Sequence, residues 1–311
     1  MKNILTVTLN PALDKIAHHD QRLGHKRSIQ GFRIYPGGKG VNVTRALRAL
    51  GIRSSTLVAV AGENGQSLAR GLKAEGLTHT LFELPNGETR VNTTVINILS
   101  GQVTRTLESG PRWTIKNELR FREVFQDALG RTRLLILSGS LPLGLSANFY
   151  AELVHEAEAQ GVPVVLDTSG PALKAGLQAK PFAVKPNQNE AEELLGYRLV
   201  SRRAIRKALL SFLDCGMKVI LLTLGERGLA VGQEGKLYYV QAPEMRGGHA
   251  VGSGDAALAG FIAGGERKAG LAECARLAAA CGAANILSDV PGGISNNAVG
   301  RIAARLVVEE L

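Results

Sequence analysis

RLLILSGSLPLGLSANFYAELVHEAEAQGVPVVLD, residues 133–167, carries the pattern that decides the fold. An apolar run of strand length (133–137) passes through a polar, glycine-containing turn into helical spacing over 146–160. A second apolar run (162–167) closes the unit. Strand, crossover helix and strand in this order lie side by side and parallel, with a right-handed crossover. The alternation continues outward on both sides. Strand-like runs occur at 4–9, 56–61, 181–184 and 218–224, and helical patterns at 41–50, 63–75, 188–195, 202–215, 255–264 and 269–287. The chain reads as an α/β protein with a doubly wound, mainly parallel sheet flanked by helices.

One segment has a different period. ETRVNTTVINILSGQVTRTL (88–107) alternates polar and apolar around Ser100-Gly101, the mark of a hairpin with one solvated face. Residues 14–35 also lack helical periodicity. The two segments are expected to form a small antiparallel β lid on a single domain spanning 1–311.

Composition narrows the class. A chain of 311 residues that is 45% hydrophobic can bury a sizeable core, and 5% aromatic content favours packed helices on a parallel sheet. Met1-Lys2-Asn3 leads directly into a strand-like run, without a signal-peptide pattern, and no apolar run reaches the roughly 18 residues of a membrane span. Cys215, Cys274 and Cys281 have neither disulfide nor zinc spacing. These features imply a cytoplasmic protein without membrane association. The net charge of +10 is spread in short clusters such as Arg131 with Arg133, without a basic tail or interleaved aromatics. It suits small anionic substrates better than nucleic acid.

Polar residues follow the strand runs: Ser138-Gly139-Ser140, Asp167-Thr168-Ser169, Lys185-Pro186-Asn187 with Glu190, and Thr223-Leu224-Gly225. In open parallel sheets ligands bind at the carboxyl ends of strands, so these four ends point to one shared site. Each alone would pass for a helix cap. Near the C-terminus, Gly252-Ser253-Gly254-Asp255 runs straight into the apolar stretch AALAGFIAGG. Such a turn at a helix start offers free N–H groups and partial positive charge to an anion. Asp255 beside it is either a helix cap or a base. A P-loop motif is absent, and the match of Gly252, Gly254 and Ala257 to a dinucleotide fingerprint does not directly follow the strand-like LYYVQAP (237–243). A second glycine cluster, Pro36-Gly37-Gly38-Lys39-Gly40, precedes Asn42 and a helix with Arg45 and Arg48.

Taken together, these residues resemble the ribokinase-like (PfkB-type) carbohydrate kinases, in their phosphosugar branch. The resemblance spans nearly the whole chain through eight ordered motifs: TLNPALD (8–14), PGGKGVN (36–42), ETRVN (88–92), SGSLP (138–142), DTSG (167–170), KPNQNE (185–190), TLGERG (223–228) and VGSGD (251–255). It implies ATP-dependent phosphorylation of a ketohexose monophosphate to a bisphosphate. Fructose 1-phosphate is the first expected substrate, tagatose 6-phosphate the second and fructose 6-phosphate the third. A silent sugar-phosphate sensor is the non-enzyme alternative.

The resemblance also implies roles. Asp255 would be the catalytic base, with Gly252, Ser253 and Gly254 forming the anion hole. Asp14, Gly38, Lys39 and Asn42 would hold the sugar, while Arg90, Ser138 and Arg105 would contact its phosphate. For the two arginines a solvated strand face is the alternative. Lys185, Asn187, Thr223, Gly225, Gly228 and Asn285 would bind ATP, a buried amide being the alternative for Asn285. Asn187 and Glu190 would organise Mg²⁺ through water. Copies of such proteins can pair through the lid. His249-Ala250 departs from the Asp/Asn and Thr/Pro of many relatives, which leaves the monovalent-cation requirement open.

Overall fold

The computed structural model describes residues 2–19, 31–245 and 248–311. The N-terminal elements are β1 (Asn3–Thr8), β2 (Ala12–His19), β3 (Arg33–Gly37), α1 (Lys39–Ala49), β4 (Ser54–Ala61), α2 (Gly62–Ala74), β5 (His79–Leu84), β6 (Arg90–Asn97) and β7 (Val103–Thr106). The middle of the chain forms α3 (Ile115–Leu129), β8 (Thr132–Ser138), α4 (Phe149–Ala159), β9 (Val164–Asp167), α5 (Gly170–Gln178), β10 (Ala183–Val184), α6 (Gln188–Leu195), α7 (Arg202–Asp214) and β11 (Val219–Thr223). The remainder forms β12 (Leu229–Gln233), β13 (Lys236–Val240), α8 (Ser253–Glu266), α9 (Leu271–Ile286), α10 (Asn296–Ala303) and β14 (Val308–Glu310).

The large sheet has the order β14-β13-β12-β11-β10-β9-β8-β1-β4-β5. Its strands from β5 to β11 are parallel, and β12, β13 and β14 form an antiparallel edge. β1 neighbours β4 on one side and β8 on the other, so the winding reverses between β1 and β8 and opens a crevice there. The parallel strands read as continuous apolar runs because helices cover both faces. One face packs Phe121 and Phe125 of α3, Leu153 of α4 and Leu209 of α7 against the sheet. The other packs Val43 and Leu47 of α1 with the alanines of α8 and α9. Burying one such Leu or Phe contributes about 1.5–3 kcal/mol.

The second sheet has the order β3-β2-β6-β7. Its outer pairs are antiparallel, and the central β2–β6 pair is parallel. The expected hairpin is β6–β7, turning through Gly101 at φ +70°. Within the expected 14–35 segment, residues 20–30 lie outside the described residues.

The sequence reading leaves several elements unassigned. α3 starts at a capping box in which Thr114 and Asn117 exchange hydrogen bonds, and it buries Asn117, Phe121, Phe125 and Leu129, one face at four-residue spacing. That signal is present in the sequence. α5 is only nine residues long and contains Gly170, Pro171 and Gly176, which weakens its helical signal. α10, β5 and the edge strands β12 and β14 were likewise unassigned.

Candidate active site

The polar residues gather where the parallel strands end. Asp167, the last residue of β9, is fully buried. Its Oδ1 meets Lys39 Nζ at 3.0 Å and Lys185 Nζ at 3.1 Å. Ser138 Oγ, at the end of β8, donates to its Oδ2 at 3.3 Å. Burial alone would raise Asp167, but the Lys185 and Lys39 ammoniums outweigh it and hold the carboxyl below its ordinary range. Burial likewise opposes the charge on Lys39, yet Asp167, Asp255 and Glu190 together hold that ammonium above its ordinary range. Glu190 on α6 thus faces the same space as Lys39 on α1.

Asp255 sits in the first turn of α8. The turn before it needs glycine: Gly252 has φ +84°, and a Cβ there would lie 2.4 Å from the Gly292 nitrogen. Asn42 Nδ2, from α1, donates to Asp255 Oδ2 at 2.8 Å. Burial, then the charge of Asp167, push Asp255 up to about 6, while Lys39, Lys185 and the Asn42 amide pull the other way. A buried carboxyl that ionises just below neutrality, beside two ammoniums, is placed to take a proton at neutral pH. Among the described residues no acceptor lies on the N–H groups of Gly252, Gly254 or Asp255. The Ser253 N–H donates to the Ala250 carbonyl at 3.0 Å, so the free donors of the turn are not the expected run of 252–254. Closing that turn consumes the middle donor.

The residues expected to hold the sugar include a cluster on the second sheet. Register pairs Asp14 with Asn92, and Asn92 Nδ2 donates to Asp14 Oδ1 at 2.9 Å. Gly37 lets the strands approach, since a Cβ there would lie 2.0 Å from Asp14 Oδ2. Burial raises Asp14, opposed by Asn92, Arg105, Arg90 and Arg45 in that order. Arg105 on β7 and Arg90 on β6 therefore both direct charge at Asp14. Arg90 is also a clamp, donating to the carbonyls of Asn10 (2.8 Å), Glu108 (3.1 Å) and Pro11 (3.3 Å). A guanidinium has five N–H groups, so it keeps donors for a phosphate. Burial chiefly lowers its basicity. Asn10 Oδ1 and Asn92 Oδ1 are buried acceptors with no donor among the described residues.

Other expected residues have clear placements. Gly38 caps α1, and Lys39 begins it. Ser138 is fully buried and turned to Asp167, so its side chain braces that carboxylate instead of facing open space. Asn187 and Glu190 form the capping box of α6: Glu190 N–H donates to Asn187 Oδ1 at 3.0 Å, and Asn187 N–H to Glu190 Oε2 at 2.8 Å. A bridge joins Asn187 to Thr223, and Gly225 and Gly228 flank the short 3₁₀ turn that follows. Asn285 is fully buried; its amide donates to Val251 O (2.9 Å) and Ser253 Oγ (3.1 Å) and accepts from Gly292 N–H (2.7 Å). Its amide nitrogen and oxygen are both engaged within the protein and brace the glycine turn. His249 is buried, accepting the Val251 N–H at Nδ1 (3.2 Å) and donating from Nε2 to Asp289 O (3.3 Å). Burial, first among its causes, lowers its pKa.

The sequence reading places Asp167 at the shared strand-end site without a role of its own, and assigns none to Asn92 or Arg45. Asp167 was visible as a carboxylate directly ending a strand. The Asn92 partnership depends on β2–β6 register, which no local pattern encodes.

Among the described residues no group of three or more His, Cys, Asp or Glu could hold a metal ion. Glu190 keeps one oxygen outside its capping box and lies within electrostatic reach of Lys39. A carboxylate oxygen left outside the capping box fits Mg²⁺, which keeps waters and is completed by substrate phosphates.

A profile of the pfkB family carbohydrate kinases matches residues 9–295. A 1-phosphofructokinase of Bacillus subtilis (strain 168) is 31% identical over 290 residues, covering 93% of this chain and 94% of its own. Phosphofructokinase-2 from Escherichia coli in complex with potassium superposes with a TM-score of 0.88 at 28% identity, covering 98% of this chain and 99% of its own. A possible 1-phosphofructokinase from Thermotoga maritima gives 0.89 at 25% identity, with 99% of each chain covered.

Proposed function

The chain belongs to the pfkB family of carbohydrate kinases, and we propose that it transfers the γ-phosphoryl of ATP to fructose 1-phosphate, forming the 1,6-bisphosphate. The observation that carries this reading is Asp255: a buried carboxyl pushed up to about 6 at the open N-terminus of α8, with Lys39 and Lys185 held nearby by Asp167. Phosphoryl transfer depends on positioning and charge neutralisation more than on covalent chemistry. Asp255 takes the proton from the attacking sugar hydroxyl, and the N–H groups of Gly252 and Gly254 meet the charge that develops on the phosphoryl oxygens. Lys39 and Lys185 neutralise that charge, and Asp167 holds both side chains in place. Asp14, whose geometry Asn92 fixes, accepts a sugar hydroxyl.

A phosphate already on the substrate accounts for two arginines around Asp14, and the name of the Bacillus subtilis relative supports fructose 1-phosphate. Asn187 and Glu190 would hold Mg²⁺ through water, and the ion would screen the phosphate charges when bound. Lys185, Thr223, Gly225 and Gly228 line the nucleotide side in this reading. The second sheet exposes Ile34 and Val103 on its edge strands, and we propose that two copies pair there. No helix among the described residues is long and apolar enough to cross a membrane, and we place the enzyme in the cytoplasm.

A coupled ADP-release assay tests the function with fructose 1-phosphate, tagatose 6-phosphate, fructose 6-phosphate and fructose. The highest kcat/KM on fructose 1-phosphate is expected. Turnover led by another ketose phosphate reassigns the substrate, and none on any of them leaves the sensor reading.

A further inference from the structure

Arg45 is a buried cation that the proposed chemistry leaves without a task. It lies on α1, 9% exposed. Its Nη1 donates to Asn42 Oδ1 at 2.9 Å and to Pro291 O at 2.5 Å. Its Nη2 donates to Pro36 O at 2.5 Å and to Glu75 Oε1 at 3.1 Å, and Nε donates to Glu75 Oε2 at 2.6 Å. A planar fork with five donors can satisfy this set; an ammonium cannot.

The consequence falls on Asn42. With Oδ1 held by the guanidinium, the amide Nδ2 is left facing Asp255 Oδ2. The flipped amide would set N–H against N–H at Arg45 and oxygen against oxygen at Asp255. Both clashes would be buried, where an unmade hydrogen bond costs about 1–3 kcal/mol. The same guanidinium ties Pro36, at the sugar loop, to Pro291, beside Gly292, whose N–H Asn285 holds.

We infer that Arg45 is a positioning residue for the base: it fixes the Asn42 amide so that its N–H points only at Asp255, and Glu75 fixes Arg45 in turn. The inference rests on Asp255 being the base of the proposed reaction. Four other groups act on that carboxyl: Asp167 from β9, Lys39 from α1, Lys185 after β10, and the Asn42 amide itself. The Asn42 N–H favours the ionised form. Releasing the amide therefore weakens the acid, and the acid limb of kcat/KM moves to higher pH, by about one unit for one charge-assisted hydrogen bond.

Two variants and a cycle test this. Arg45→Met and Arg45→Lys are each followed by the acid limb of kcat/KM and by ¹³C NMR titration of the Asp255 carboxyl. Both are expected to raise the apparent pKa, the Lys variant because its single ammonium goes to Glu75. In an Asn42→Ala background, Arg45→Lys is expected to add no further shift, since Arg45 acts through Asn42. An unmoved limb in a folded Arg45→Lys protein overturns the inference, as does a full additional shift in the Asn42→Ala background. If Arg45→Met fails to fold by circular dichroism, the Lys series decides alone. Wild-type turnover keeps the two readings apart: its absence removes the kinase reading, while the NMR titration still reports whether Arg45 sets the Asp255 carboxyl.

Discussion

The two ends of the cleft are built from the same pair of side chains and finished differently. At the proposed phosphoryl end, Asp255 receives an N–H from Asn42; at the proposed sugar end, Asp14 receives one from Asn92. Burial raises both carboxyls. The difference lies behind the asparagines. Asn42 has its oxygen held by Arg45, whereas Asn92 Oδ1 is buried with no donor among the described residues. A fully satisfied pair rigidifies its carboxylate, as a general base requires. A half-satisfied pair keeps an acceptor for a hydroxyl that arrives with the ligand, because a buried orphan is costly until it is met.

The largest effect that sharpens this contrast is expected from Asp255→Asn. It should lower kcat about 10²–10⁴-fold while leaving ATP and sugar affinity close to wild type, as read by initial rates and calorimetry. Asp14→Asn should act at the other end, lowering kcat/KM roughly tenfold to a hundredfold, the kinetic equivalent of about 1–3 kcal/mol. If it spared KM and lowered only kcat, the division of labour between the ends would be lost. Asn92→Ala should raise KM for the sugar phosphate by roughly three- to tenfold with kcat nearly kept, one neutral hydrogen bond being worth about 1 kcal/mol. His249→Gln should be mildest, within roughly threefold in kcat/KM, because one amide can replace a ring hydrogen bond between the 249–251 turn and Asp289.

Much of the frame was legible from sequence because it is local. Apolar runs at 133–137 and 162–167 with helical spacing between them dictate a parallel pair, and the polar residues after each run mark the binding edge. The Gly252–Asp255 turn announces itself by composition. What was not legible depends on distant partners. Ser138 lies in a matching motif and Asn285 on α9, but their side chains turn inward to Asp167 and to the glycine turn. Asp167 gains its place by drawing lysines from 39 and 185 onto one oxygen, and Arg45 by reaching residues 36, 75 and 291 at once. Periodicity reports which face of an element is buried, not which buried groups meet.

The acid limb of kcat/KM for fructose 1-phosphate probes the central claim most directly. As the proposed base Asp255 works only when ionised, so with its pKa raised to about 6 activity is expected to be full above that value and lost as pH falls through it. The expected profile drops about tenfold for each pH unit below 6, and in Asp255→Asn the limb disappears with the activity. A wild-type profile that stays flat from about pH 7 down to 5, or an Asp255→Asn enzyme that keeps both its rate and the limb, would contradict the assignment of Asp255 as the base.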